Sequence, residues 1–106
     1  MSEKDIYRII FFNRDEIYEI YAKNVYEGDM YGFVIIEEFI FGEKSALLID
    51  PSEEKLRNEF EGVSRTFIPL HEVIRIDQVK KQGVAKISSA PKNSNNVSTL
   101  YSPSKK

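Results

Sequence analysis

The sequence predicts a mainly β, α+β domain built on a small, strongly bent antiparallel sheet or a small barrel, with one short helix inserted at about 51–61. Three observations carry that expectation. Residues from Ile6 to Phe41 are dense in Ile, Tyr, Phe and Val, and turn residues break them into strand-length pieces. One strong helix-start signal stands at Asp50-Pro51-Ser52-Glu53. Pro69 then falls between two apolar stretches and interrupts any continuous ladder there.

The first strand is read from Ile6 to Phe12 and ends at Asn13-Arg14-Asp15-Glu16, where Asn and Asp favour a turn by bonding nearby backbone. A second strand from Ile17 to about Val25 completes an antiparallel hairpin. Gly28-Asp29 and Gly32 flank a loop tipped by Met30-Tyr31, before a long third piece from Phe33 to Phe41. Apolar residues fall on both alternating faces of that piece, and Glu37-Glu38 interrupts it, which suits a bent strand better than a flat sheet with one wet side. Gly42 marks the next turn, and Ser45-Ala46-Leu47-Leu48-Ile49 reads as a short fourth strand.

In the helix that follows, Asp50 is placed to cap the first amides, Pro51 suits the first helical position, and Glu53 completes a capping-box-like spacing. Leu56 and Phe60 form a narrow apolar stripe that docks the helix on the sheet, Glu53 and Arg57 are spaced to pair, and Gly62 is placed to end the helix with positive φ. Beyond it the pattern gives a strand to Ile68, a tight turn from Pro69 to His71, and a strand from Val73 to about Val79. Alternation there puts Ile74 and Ile76 on one face and Arg75 and Asp77 on the other. Ser, Asn, Pro and Lys dominate from about Ser88, so the expected division is one β-rich domain, 1–87, and a disordered basic tail, 88–106.

Charge separates the same two parts. Met1 to Asp77 holds nine Lys and Arg against seventeen Asp and Glu, while Gln78 to Lys106 holds six Lys and no acid. An acidic body of about −8 therefore carries a basic tail of about +6. A chain of 106 residues supports one core, and a domain of that size buries roughly 60–65% of the surface its unfolded chain exposes. Cysteine is absent, so the core rests on apolar packing supplied by seven Phe, six Tyr and many Ile. No apolar run approaches the roughly 18 residues of a membrane span, and the expectation is a soluble cytoplasmic protein with no membrane partner.

The stretches Gly28-Asp29-Met30-Tyr31-Gly32-Phe33, Asp50-Pro51-Ser52-Glu53-Glu54-Lys55-Leu56, and Phe67-Ile68-Pro69-Leu70-His71 through Val73-Ile74-Arg75-Ile76-Asp77 resemble the uncharacterised proteobacterial family called domain of unknown function 1820. The resemblance runs from about Ile6 to Ile87. It implies a bacterial cytoplasmic setting and brings no substrate, cofactor or catalytic residue. The order of bent strands, Pro-containing tight turn and final strand is also similar to the end of Sm-like and SH3-like barrels, an analogy of architecture that does not fix function.

The chemistry-bearing residues point away from catalysis. His71 is the single histidine and stands at the Pro69 turn, without a cysteine or serine motif to serve as a nucleophile. Asp50, Glu53 and Glu54 crowd together without the alternating ligands and Gly of a calcium loop, and helix capping accounts for them without a metal. No catalytic residue, metal or cofactor is therefore assigned. Tyr18, Tyr21, Tyr26 and Tyr31, with Phe33, lie on or beside the second strand and the loop after it, where small barrels present stacking platforms.

The function expected is a noncatalytic module that binds another protein through this aromatic loop face. Its candidate contact residues are Tyr21, Tyr26, Tyr31, Phe33, Arg65, His71 and Arg75. The alternative is a single-stranded RNA binder that stacks bases on Tyr21, Tyr31 and Phe33 and meets phosphate with the Lys-rich tail. The acidic body opposes it, since phosphate contacts need a positive surface.

Overall fold

The computed structural model describes residues 5–42 and 51–90. In chain order the elements are β1 (Ile6–Asn13), β2 (Glu16–Tyr26), β3 (Phe33–Ile40), α1 (Pro51–Glu59), β4 (Arg65–Pro69), a 3-10 turn (Leu70–Glu72), β5 (Val73–Val79) and β6 (Lys86–Ser89). The expected strand Ser45–Ile49, the Asp50 cap and the tail beyond Ala90 lie outside the described residues.

Every strand pairing is antiparallel, in the order β4-β3-β2-β1-β5, with β6 added to β2. The bend resides in β2. Its Glu16–Ala22 half pairs with β1, its Tyr21–Tyr26 half pairs with β3, and Glu16–Glu19 also pairs with β6, so its two ends serve different neighbours. Among the described residues β4 and β5 do not pair with each other, so the sheet stays open and the barrel alternative is not realised. Instead the turn between them is tied elsewhere, because Leu70 N–H donates to the Gly32 carbonyl at 2.9 Å.

Local sequence explains the joints. Arg14 and Asp15 both take positive φ (55° and 66°), the pair that a type I′ hairpin turn between β1 and β2 requires. Glu38 takes φ 62° inside β3, and the β2–β3 pairing resumes on either side of it, at Glu37 and Phe39. This is the expected interruption at Glu37-Glu38. Gly62 has φ 82° just past α1, as expected of a helix-ending glycine.

The core gathers the inward residues Ile9, Phe11, Tyr18, Ile20, Ala22, Val34, Ile36, Leu56, Ile68 and Ala85. Ile9, Ile20, Ile36 and Leu56 are its largest fully buried side chains, and burying each contributes about 1.5–3 kcal/mol relative to exposure. The centre of stability therefore lies where β1, β2, β3 and α1 meet. Leu56 and Phe60 dock the helix as the stripe predicted, with Phe60 stacked on Phe39 at 4.6 Å between ring centroids.

Two features depart from the sequence reading. A register shift opposite Ile10 and Phe11 makes a bulge in β5, which separates Ile74 from Ile76: Ile76 packs on the core and Ile74 is exposed. Furthermore, Ser88 and Ser89, assigned to the tail, continue β6 opposite Ile17 and Glu16, and Ala90 N–H donates to the Asp15 carbonyl at 3.2 Å. The folded body thus passes the expected boundary at Ile87.

Candidate functional site

The antiparallel registers of β2, β3 and β4 place Tyr26, Ile35 and Phe67 side by side in one row across the outer face. Asn24, Glu37 and Arg65 form the next row, two residues along each strand. The intervening residues Val25, Ile36 and Thr66 belong to the opposite face, on which Ile36 is fully buried. One row is apolar and its neighbour is charged.

Glu37 is the centre of the charged row. Its Oε1 accepts from Asn24 Nδ2 at 3.0 Å, and its Oε2 accepts from the Tyr26 hydroxyl at 2.7 Å and meets Arg65 Nη2 at 2.9 Å. The hydrogen bond from Tyr26, helped by Asn24 and the Arg65 charge, holds the Glu37 carboxyl below the usual carboxylate range. The same bond raises the Tyr26 phenol. Four side chains from three strands are thereby fixed on one surface.

A groove of about 590 Å³ runs beside these rows, lined by Tyr26, Glu27, Gly28, Asp29, Met30, Ile35, Arg65 and Phe67. Gly28 admits the floor of this groove, since a Cβ there would stand 2.5 Å from Ile35 Cδ1. Tyr31 follows Met30 at the loop tip and is 97% exposed. A hollow of about 540 Å³ between α1 and the end of β3 is lined by Phe39, Phe41, Arg57 and Phe60.

The sequence-derived contact residues separate into groups. Tyr26 and Arg65 meet at Glu37, Tyr31 crowns the adjoining loop, and Phe33 stands half-buried on β3 opposite Pro69. Tyr21 does not join them. It is 5% exposed and donates to Glu19 at 3.3 Å, and burial raises its phenol, so no ring face is free for a partner. Alternation puts Tyr18 on the core face of β2 with Ile20 and Ala22, where it is buried and donates to Glu59 of α1 at 2.9 Å, whereas Tyr21 falls on the opposite face and is covered there beside Arg8 and Gly83.

His71 projects from the 3-10 turn, 80% exposed and 3.4 Å from Glu72. Arg75 lies on β5, at the opposite edge of the sheet from Arg65, and pairs with Asp77 at 3.1 Å beside Arg8. The hydrogen bond from Arg8 is the main reason that the Asp77 carboxyl sits below its usual range. Arg65, His71 and Arg75 therefore do not form one set of contacts. Phe67, Glu27, Asp29 and the central role of Glu37 were missed. Alternation in β3 pairs Ile35 with Glu37 on one face, but only the register brings Phe67 beside Ile35.

Residues 5–102 match the family described as Domain of unknown function (DUF1820). The chain belongs to this family. Neither a curated protein nor a solved structure matches it. Among the described residues no three His, Cys, Asp or Glu side chains are grouped to hold a metal ion, and no helix is long and apolar enough to cross a membrane.

Proposed function

We propose that this DUF1820 protein is a noncatalytic module of the bacterial cytoplasm that docks another protein through the outer face of β2, β3 and β4. The observation that carries this reading is the continuity between a nearly fully exposed aromatic, Tyr31, and the groove walled by Met30, Tyr26 and Phe67. Exposed aromatic and Met side chains of this kind are enriched in the cores of protein interfaces. The Glu37 network keeps the surface rigid, which lowers the ordering cost of binding. Single-stranded RNA has weaker support, because Tyr21 is buried and Glu27, Asp29 and Glu37 lie on the candidate face.

The test is affinity capture from a lysate with the full chain, against Met30→Ala/Tyr31→Ala, with both protein and RNA identified. Both positions are exposed, so the variant keeps its circular dichroism spectrum. Proteins retained by the wild type and lost by the variant support the reading. A capture unaffected by the double substitution, or one dominated by RNA, overturns it.

A further inference from the structure

Among the described residues the main sheet path ends at β4 and β5, and the two outer edges differ. β5 carries the bulge at Ile74 and the charged pair Arg75 and Asp77, both devices that discourage another strand from adding. β4 carries no such bulge. Its register with β3 runs unshifted from Phe33↔Pro69 to Glu37↔Arg65, and among the described residues nothing pairs with its outer edge. That edge borders the groove, because Arg65 and Phe67 belong to both. A regular strand edge beside a side-chain pocket is the arrangement by which sheets take up an extended peptide, with backbone bonds giving affinity and the pocket giving selectivity.

Charge states what the peptide carries. The groove holds two carboxylates from the β2–β3 loop, Glu27 and Asp29, and among the described residues its one cation, Arg65, is already paired with Glu37. An acidic partner would meet Glu27 and Asp29 unscreened, whereas a basic one would meet opposite charge at the mouth of an apolar pocket. We infer that the outer edge of β4 receives an extended segment of a partner protein, with an apolar side chain seated against Met30, Ile35 and Phe67 and lysine or arginine beside Glu27 and Asp29. This rests on the protein-docking reading above and adds to it the binding mode and the chemistry of the bound segment.

The experiment titrates the full-length chain with three synthetic peptides, each read by backbone amide NMR. The first is Lys-Val-Leu-Thr-Val-Lys, the second has both lysines replaced by glutamate, and the third is the lysine peptide N-methylated at alternate residues so that it cannot extend a ladder. The lysine peptide should bind at least about tenfold tighter than either of the others. Its advantage over the glutamate peptide should shrink as salt rises from about 50 to 500 mM, which shortens the screening length several-fold. Amide exchange should slow at Arg65 and Phe67, whose N–H groups face outward between those that Thr66, Ile68 and Leu70 turn toward β3.

Equal binding of the lysine and glutamate peptides overturns the charge assignment, and equal binding of the N-methylated peptide overturns strand addition. If no peptide binds and the outward Arg65 and Phe67 amides are already protected in the free chain, the edge is covered by the protein itself and the inference fails. If no peptide binds and those two amides are unprotected, the inference fails while Met30 and Tyr31 can still govern capture, which separates its failure from that of the docking reading.

Discussion

The Glu53 carboxylate accepts the amide proton of Gly42 at 3.1 Å, so the first turn of α1 holds the chain as it leaves β3. The same oxygen accepts from Ala85 N–H at 3.3 Å, just before β6, and Arg57, one helical turn on, donates to the Gly42 carbonyl. The helix thus holds Gly42 by both its N–H and its carbonyl while tying the approach to β6.

Removing that carboxylate leaves two backbone donors without a charged acceptor. Hydrogen bonds to charged groups contribute about 1.5–3 kcal/mol, so Glu53→Ala should cost an amount in that range. Glu53→Gln, which keeps one acceptor oxygen, should cost less. Urea denaturation midpoints measure both, and an unchanged midpoint for Glu53→Ala would show that these contacts do not hold the helix.

The outer face carries its own pH dependence. Because folding lowers the Glu37 pKa, the unfolded chain binds the proton more readily, and the native state is favoured above the ordinary carboxylate value of 4.5. That contribution is lost as pH falls through the folded value. Glu37→Gln should therefore be less stable than wild type at neutral pH, and the gap should close as pH drops below 4.5. Thermal melts of both proteins across this window test it. A gap independent of pH would assign the effect to shape and hydrogen bonding rather than to the Glu37 charge.

Much of this fold was legible because local rules and global packing agree. Asn13 to Glu16 makes its turn, Gly62 ends the helix, and Leu56 and Phe60 dock it. The site was less legible for a definite reason. Alternation states which residues of one strand share a face, but not what lies over that face, so nothing in the sequence marked Tyr21 as covered by the segment at Gly83 and Tyr26 as accessible. Ile74 was misplaced because a bulge leaves no mark in alternation. β6 escaped notice because four residues with one large apolar side chain, Ile87, show no period.

The burial of Tyr21 gives a sharper test. Its hydroxyl lies where a side chain at Gly83 would begin, 2.5 Å from an ideal Cβ, with the ring carbon behind it at 3.1 Å. Gly83→Ala should destabilise by about 1–3 kcal/mol, the range for overpacking a filled site. Tyr21→Phe removes the nearer atom, so the double variant should lose less than the sum of the two singles. Strict additivity in a denaturation series would mean that the loop at Gly83 moves away freely.

The last prediction concerns β6, which the sequence assigned partly to a tail. Its pairing runs from Glu16↔Ser89 to Glu19↔Lys86, and Ile87, opposite Tyr18, packs against the core beneath α1, where Ser52 Oγ donates to the Ile87 carbonyl at 3.4 Å. If this strand is part of the body, its one large apolar residue must matter. Fully buried Ile→Ala changes cost about 2–5 kcal/mol, and Ile87 is half-buried, so Ile87→Ala should cost about 1–3 kcal/mol. Lys86→Ala, on an exposed position of the same strand, should stay within about 0.5 kcal/mol of wild type. Hydrogen exchange adds the spatial readout: Ile87→Ala should speed exchange along the Glu16–Glu19 end of β2 more than in the half of β2 paired with β3. Equal midpoints for the two variants would place Ile87 outside the cooperative unit and return the end of the folded body to Ala85.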